Sequence, residues 1–328
     1  MILVCGGAGY VGSHMVRALA ERGEQTVVID NFRTGYKAAV HPEAVFCEGD
    51  IRNRRDLDGI FSRYPVDAVI HFAASTQVGE SVQKPLDYFN NNVMGMQTLL
   101  EAMAAHSVGV LVFSSSAAVY GDPASVPVAE DAPLLPTSPY GETKRMMEEM
   151  MRWVGPACNI RSVSLRYFNV AGAVADGSLG EAHLPESHLI PLILQVPLGQ
   201  RSHITVFGDD YDTPDGTCIR DYIHVTDLTD AHLLAVDYLR RGGESDVFNL
   251  GNGEGFSVRD VITTAEAVVG RPIPSVIAER RAGDPARLVA SSAKAEAVLG
   301  WKPSRSGLEN IIATAWNWHA KHPDGYRI

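Results

Sequence analysis

The sequence predicts an α/β fold, a doubly wound parallel sheet followed by a smaller mixed α/β domain. Three observations carry this. A glycine-rich turn joins a strand-like run to a helix-like run at the start of the chain. Strand and helix patterns then alternate, with short connections, to about residue 166, as parallel strands with crossover helices require. Beyond that point the alternation thins and the chain becomes Gly-rich and irregular. The expected division is 1–168 and 169–328, with a segment near 225–250 returning to the first sheet.

Met1 to Cys5 is a short apolar strand, and Gly6, Gly9 and Gly12 then fall in the pattern G-x-x-G-x-x-G before a helix over Met15 to Glu21. In that context the turn is too tight for side chains, and helix N-terminal amides face a pyrophosphate, as in Rossmann-type domains. The next strand, Gln25 to Ile29, ends at Asp30, about 20 residues on from the glycines, where a carboxylate binds the adenosine ribose hydroxyls. It also repels a 2′-phosphate, which favours NAD over NADP; Arg33 is the one neighbour that would suit the phosphate. A strand-end Asp can also simply cap the turn before Asn31, but the spacing favours ribose.

Ala44 to Cys47 reads as a third strand, leading to Asp50 and Ile51. These two either embrace an adenine, or Asp50 caps the helix Arg54 to Arg63; the residues alone leave both open. Val66 to Phe72 is a nearly continuous apolar run, as in a strand buried on both faces. Phe72, Ala73 and Ala74 leave space beside a cofactor. A long helix follows Pro85, with Asn90, Asn91 and Asn92 inside it and Met96 to Ala105 beyond. Three asparagines are costly in a helix, so a buried polar contact with the cofactor or a neighbouring loop is expected at Asn91.

Val108 to Phe113 is the next buried strand, and Ser114, Ser115 and Ser116 leave its carboxyl end, where open α/β sheets bind ligands. A Pro-rich loop, 123–139, precedes a helix over Tyr140 to Trp153 and a sixth strand over Ile160 to Arg166. Further helices are expected at Ala231 to Arg240, Ser257 to Val269 and Leu308 to His319, with Val247 to Leu250 a strand that rejoins the first sheet.

Lys plus Arg total 28 against 39 Asp plus Glu, a formal charge of −11. Such a balance repels nucleic acid and anionic lipid, so neither is an expected partner, and an anionic substrate needs a few local arginines. The four cysteines are far apart, with no C-x-x-C pair and no matched His cluster. Neither a metal site nor a disulfide framework is expected, which suits a reducing compartment. No apolar stretch reaches the ~20 residues of a membrane span, and no signal peptide precedes the first strand. A cytoplasmic location is the expectation.

Tyr140 and Lys144 form Y-x-x-x-K at a helix start. The i,i+4 spacing puts both on one face, roughly 5–6 Å apart at Cβ. An ammonium beside a phenol favours the phenolate, so the spacing predicts a tyrosine pKa below its usual ~10. So poised, it exchanges a proton with a substrate hydroxyl near neutral pH.

Gly6 to Gly12, Asp30, the serine run, and Tyr140 with Lys144 together resemble the extended short-chain dehydrogenase/reductase superfamily. The chain is more narrowly similar to the UDP-glucose 4-epimerase family. That resemblance rests on Gly7 to His14, Val78-Gly79-Glu80-Ser81-Val82, Arg166-Tyr167-Phe168-Asn169, Arg220-Asp221-Tyr222-Ile223-His224-Val225 and the tail His322 to Tyr326.

The resemblance implies reversible 4-epimerisation of UDP-galactose and UDP-glucose through a 4-keto sugar, on one tightly held NAD. By the same matching, Tyr140 is the acid/base, Ser116 bonds the sugar O4, and Lys144 binds the nicotinamide ribose. Tyr10 and Val11 offer amides to the pyrophosphate, and Asn31, Thr76, Ser114 and Phe168 join the cofactor contacts. Arg220 and Arg281 hold the diphosphate, a task suited to guanidinium geometry. Asn169, His188, Leu189, Phe207, Tyr222, Asp284 and Leu288 complete the substrate set. A homodimer through Met94 to Ala105 and Tyr140 to Trp153 is also implied, although Met146, Met147, Met150 and Met151 could equally be core.

Three positions depart from common family members. Thr76 stands where some carry a cofactor-contacting lysine, and His188 where some carry an asparagine. Leu288 replaces a tyrosine that excludes N-acetyl groups, so weak use of N-acetylated sugars is expected. A 4,6-dehydratase would want a carboxylate just before Val119-Tyr120-Gly121, where this chain has Ser116-Ala117-Ala118. A UDP-uronic acid epimerase stays open. A non-catalytic NAD sensor would be expected to lack Tyr140 or Lys144.

Overall fold

The computed structural model describes residues 1–281 and 284–326. Its first half comprises β1 (Ile2–Cys5), α1 (Tyr10–Glu21), β2 (Thr26–Asp30), β3 (Val45–Glu48), α2 (Arg54–Arg63), β4 (Ala68–His71), α3 (Val78–Gln83) and α4 (Pro85–Tyr88). A π-helical turn (Phe89–Met94) follows, then α5 (Gly95–Ala105), β5 (Val110–Ser114), α6 (Pro139–Cys158) and β6 (Arg161–Tyr167). The remainder holds β7 (Asn169–Ala171), α7 (Leu189–Leu194), β8 (Ile204–Phe207), β9 (Ile219–Arg220), β10 (Tyr222–His224), α8 (Val225–Arg240) and β11 (Asp246–Leu250). Last come β12 (Phe256–Ser257), α9 (Val258–Val269), β13 (Ser275–Ala278), β14 (Arg287–Leu288), α10 (Ala293–Leu299) and α11 (Leu308–Lys321).

Seven strands form one parallel sheet in the order β11-β6-β5-β4-β1-β2-β3. The order reverses between β1 and β4, which opens a crevice at their carboxyl ends. β1, β4 and β5 are buried at every residue, because helices cover both faces. On one face Met15, Leu19, Leu228, Val236 and Trp301 pack from α1, α8 and the chain after α10. On the other, Leu57, Ile60, Leu99, Met103, Met147 and Met151 pack from α2, α5 and α6. Each such side chain contributes roughly 1.5–3 kcal/mol of burial free energy. α8 and β11 belong to this body: β11 pairs in register with β6, Phe248 opposite Leu165. A second core gathers Ile193, Leu194, Ile262, Ile311 and Ile312 from α7, α9 and α11.

Three elements differ from the sequence expectation. α1 starts at Tyr10, immediately after the last turn glycine that can cap it, rather than at Met15. α6 continues past Trp153 to Cys158, with Pro156 in its final turn, where a kink costs little remaining helix. The helix after Pro85 is interrupted by the π turn that holds all three asparagines. There the buried residue is Asn92, not Asn91. Asn92 Oδ1 accepts from Ser75 N (2.8 Å), and its Nδ2 donates to Ser75 O (3.1 Å) and Thr143 Oγ1 (3.0 Å). Asn91 is partly buried and donates to Asn92 Oδ1 at 3.0 Å. The unfavourable propensity is thus offset by a clasp between the loop after β4 and α6.

Candidate active site

The carboxyl edge of the parallel sheet collects the loops after β1, β2, β4, β5 and β6. At the first, Gly6 has φ +80° and its missing Cβ would lie 2.7 Å from Ala73 N; one on Gly12 would lie 2.0 Å from Gly6 O. Both must therefore be glycine for the turn to close. Gly9 differs: a Cβ there would meet only Gly6 O, at 3.5 Å, so it borders open space. It caps α1 without a side-chain hydrogen bond, so the first amides, Tyr10 and Val11 included, sit at a bare helix N-terminus. Asp30, ending β2, accepts from Ala8 N (3.0 Å) and Phe32 N (2.8 Å). Burial raises its pKa against the pull of those amides. A turn open to a phosphate beside a strand-end carboxylate fits a dinucleotide.

Around that turn, Asn31 Nδ2 donates to Asp50 Oδ2 at 3.0 Å. Asp50 is also gripped by Arg52 through its amide and guanidinium, which holds its pKa down at about 2. Asn53, not Asp50, caps α2, accepting from Arg55 N at 3.1 Å. That removes the capping alternative for Asp50. Ile51 is buried against Gly95. Phe72 and Ala73 donate their amides to Cys5 O (2.8 and 3.0 Å), pinning the loop of Phe72 to Ala74 beside the glycines. Thr76 is exposed two residues beyond Ala74. Arg33 reaches Ser75 Oγ (3.1 Å), so it lies across the cleft from the adjacent loop.

At the end of β5, Ser116 caps the short 3-10 turn Ala117–Val119, accepting from Ala118 N at 3.2 Å. Tyr140 and Lys144 come from the first turns of α6, whose start is set by Ser138, accepting from Gly141 N, and by Pro139 at the first position. Lys144 Nζ donates to Ser114 O at 2.7 Å and lies 4.8 Å from the Phe113 ring centre and 5.8 Å from that of Tyr140. Ser114 Oγ is hydrogen-bonded to the Tyr167 hydroxyl.

The electrostatics correct one expectation. Burial raises the Tyr140 pKa, and the hydrogen bond with the Ser116 hydroxyl only partly offsets it. It is Lys144 that moves down, to about 7, because burial strips its ammonium of water while Glu148 resists. The i,i+4 spacing is as expected, but the lysine is directed to a backbone carbonyl and is itself desolvated.

The sequence reading did not anticipate the network behind this site. Ser115 Oγ donates to Glu148 Oε1 at 2.5 Å, and Glu148 pairs with Arg166 at 2.5 Å. Arg166 Nη1 reaches Tyr120 OH (2.8 Å), which donates to Asn249 Oδ1 (2.7 Å) on β11. Glu148 stands one turn after Lys144, a spacing that could have signalled it.

The second half supplies the other side residues. Asn169 and Tyr222 are register partners of β7 and β10. Arg220 pairs with Asp284, and the Arg281 guanidinium sits 4.0 Å over the Phe207 ring. Phe168 and Leu288 pack together against Val119 and Tyr120, which joins this half to the loop that carries Ser116. Leu189 opens α7 against the second core. His188 does not stand alone: its Nδ1 lies 2.9 Å from Glu181 Oε1 and 3.1 Å from Glu186 Oε1, with His183 in the same cluster. The expectation of no matched His cluster is corrected here, since an irregular loop brings together residues whose spacing follows no helix or strand period.

The NAD dependent epimerase/dehydratase family pattern matches residues 2–251. The chain is 55% identical to the UDP-glucose 4-epimerase of Halalkalibacterium halodurans over 325 residues, 99% of this chain and 97% of that protein. A crystal structure of UDP-glucose 4-epimerase superposes with a TM-score of 0.98 at 52% identity, covering 100% of this chain and 99% of the other. The Bifidobacterium longum UDP-glucose 4-epimerase, solved with NAD+ and UDP, superposes with a TM-score of 0.94 at 39% identity over 99% of each chain. Likeness at this level along nearly the whole of both chains means that the protein belongs to the NAD-dependent epimerase/dehydratase family and, within it, to the UDP-glucose 4-epimerases.

Proposed function

We propose that this chain interconverts UDP-galactose and UDP-glucose by 4-epimerisation through a 4-keto sugar, with Tyr140 as acid/base. The observation that carries the reading is the meeting of Ser116, Tyr140 and Lys144 at the carboxyl edge of the sheet. NAD, when bound, would accept the hydride from the sugar C4 and give it back. Gly6, Gly9 and Gly12 with the amides of Tyr10 and Val11 hold its pyrophosphate. Asp30 and Asn31 take one ribose, Asp50 and Ile51 the adenine, and Lys144 the other ribose. Phe72, Ala73, Ala74, Thr76, Asn91, Ser114 and Phe168 line the remaining contacts.

Tyr140 removes the proton from the sugar 4-hydroxyl and returns it after the ketone has turned over. Ser116 holds O4 in line with the phenol. Burial raises the Tyr140 pKa in the protein alone, so the charge that lowers it would come from the positive nicotinamide when NAD is bound. Arg220 and Arg281 hold the diphosphate, with Asp284 orienting Arg220. Phe207 faces the uracil, Asn169, His188, Leu189 and Tyr222 contact the sugar nucleotide, and Leu288 bounds the space beside the sugar 2-substituent. On this reading 1–168 with the returning segment near 225–250 is the NAD part, and 169–328 the sugar-nucleotide part.

The enzyme is read as a cytoplasmic homodimer without nucleic-acid or membrane partners. Among the described residues no helix is long and apolar enough to cross a membrane. Met94 and Trp153 are 46% and 67% exposed, apolar surface that a partner subunit would cover, whereas Met147 and Met151 are core. The test is a coupled assay of UDP-galactose conversion with purified protein and no added NAD, beside Tyr140→Phe. Turnover that the variant abolishes supports the reading. Silence even with NAD added refutes the substrate assignment.

A further inference from the structure

Four side chains outside the proton-transfer centre converge on one point in the segment before α7. Glu181, His183, Glu186 and His188 each offer one ligand atom, all within 4.8 Å of one another. Both carboxylates are deeply buried, with side chains 5% and 8% exposed. Two buried negative charges need two positive ones. Either two imidazolium rings or one divalent ion with neutral rings provides them.

His188 Nδ1 lies within hydrogen-bonding reach of Glu186 Oε1 at 3.1 Å, but the second ring behaves differently. His183 Nδ1 lies 3.1 Å from Glu181 Oε1 and 3.7 Å from Glu186 Oε2, yet it makes no hydrogen bond although it is buried. Its close approach to the carboxylates is therefore not a donated N–H aimed at an oxygen. The N···O separations run 2.9 and 3.1 Å to Glu181 Oε1, 3.1 Å to Glu186 Oε1 and 3.7 Å to Glu186 Oε2. A tetrahedral ion with bonds of roughly 2.0–2.1 Å has ligand–ligand edges of about 3.3 Å, close to these nitrogen–oxygen pairs, so the set, which spans up to 4.8 Å, would draw in around the ion. The Glu186 carboxylate is oriented by the amides of Ser187 (2.8 Å) and His188 (2.9 Å), the outer support that metal ligands use.

We propose that Glu181, His183, Glu186 and His188 bind one divalent transition-metal ion of the zinc class, tetrahedrally. Mixed nitrogen and oxygen donors suit zinc rather than calcium or magnesium, which prefer oxygen alone. With four protein ligands the site is closed, so the ion is structural. Its effect is to tie down the irregular segment that delivers His188 and Leu189. The Tyr10 ring, edge-on to His183 at 6.3 Å, connects the same point to the glycine turn. The inference stands apart from the proposed reaction, since its readout is metal and not turnover.

The test is metal analysis of dialysed protein, followed by chelation and titration with Zn2+ and Co2+. One zinc per chain is expected, with a Co2+ form showing the intense absorption of tetrahedral cobalt and a lower Tm after chelation. His183→Ala and Glu186→Gln should each weaken zinc binding by at least about tenfold. Circular dichroism checks that both remain folded. If a variant does not fold, the cobalt spectrum of the unaltered chain decides. Absence of saturable binding, a six-coordinate cobalt spectrum, or affinity unchanged in folded variants would each overturn the proposal.

Discussion

Lys144 Nζ donates to Ser114 O at 2.7 Å, so the sixth helix is tied to the last residue of the fifth strand. Tyr140 lies one turn before that tie and Ser116 two residues beyond it. Their mutual position is therefore held by a buried bond rather than by the loop between them. Removing the phenol alone should leave this frame standing. Tyr140→Phe is expected to lower kcat by about 10²–10⁴-fold with little change in KM or Tm, measured by coupled assay and thermal melting.

The same lysine sets a pH dependence of stability. Its pKa in the folded chain is about 7, against an ordinary 10.5. Between those values the unfolded chain binds a proton that the folded chain has released. Stability of the cofactor-stripped protein should accordingly rise with pH across that window, by up to about 1.4 kcal/mol per pH unit from this group. Denaturant titrations at several pH values should show Lys144→Met lacking that slope; equal slopes would refute the assignment.

The Glu148–Arg166 pair, with side chains 8% and 4% exposed, should behave as a buried couple. Glu148→Ala strands a guanidinium and is expected to cost about 3–5 kcal/mol in urea unfolding. The double replacement of both residues by methionine should recover most of that loss. A double variant no better than the single would show that the network, not the stranded charge, carries the stability.

Gly9 and Gly12 should separate cofactor retention from folding. A Cβ at Gly9 clears the protein, with Gly6 O at 3.5 Å, whereas one at Gly12 strikes Gly6 O at 2.0 Å. Gly9→Ala should therefore keep its Tm in the stripped protein but hold less NAD, and Gly12→Ala should lose both. NAD released per chain on denaturation measures the first, and melting of stripped protein the second.

Leu288 should tune the sugar accepted. It packs with Phe168 against Val119 and Tyr120, so a larger side chain there crowds the loop that carries Ser116. Leu288→Tyr is expected to reduce kcat/KM for N-acetylated UDP-sugars relative to UDP-galactose by about tenfold or more. An unchanged ratio would remove Leu288 from specificity.

The glycine turn, Asp30 and the buried strands were legible because each writes its geometry into spacing or apolar runs. β4 lies at Ala68–His71, inside the run Val66 to Phe72. The two-residue strands β9, β12 and β14 are too short to leave a period. Spacing placed Tyr140 beside Lys144 but carried no information on burial, so it missed which of the two pKa values falls. Asn92 was obscured by its neighbours, since a π turn has no repeat in the composition of a helix. The Glu181 to His188 cluster follows no regular period at all.

The π turn of Phe89–Met94 amounts to one surplus residue in an otherwise continuous helical run. A residue advances a helix by about 100°, so the faces of α4 and α5 are out of phase by that angle. Deleting one residue of the turn would give a smoother helix with better local propensity. It would also rotate one segment against the other and part Asn92 from Ser75 or from Thr143. In this chain, then, local regularity and assembly of the catalytic edge pull in opposite directions. A design or alignment procedure that favours unbroken helices would remove the very residue that sets their offset.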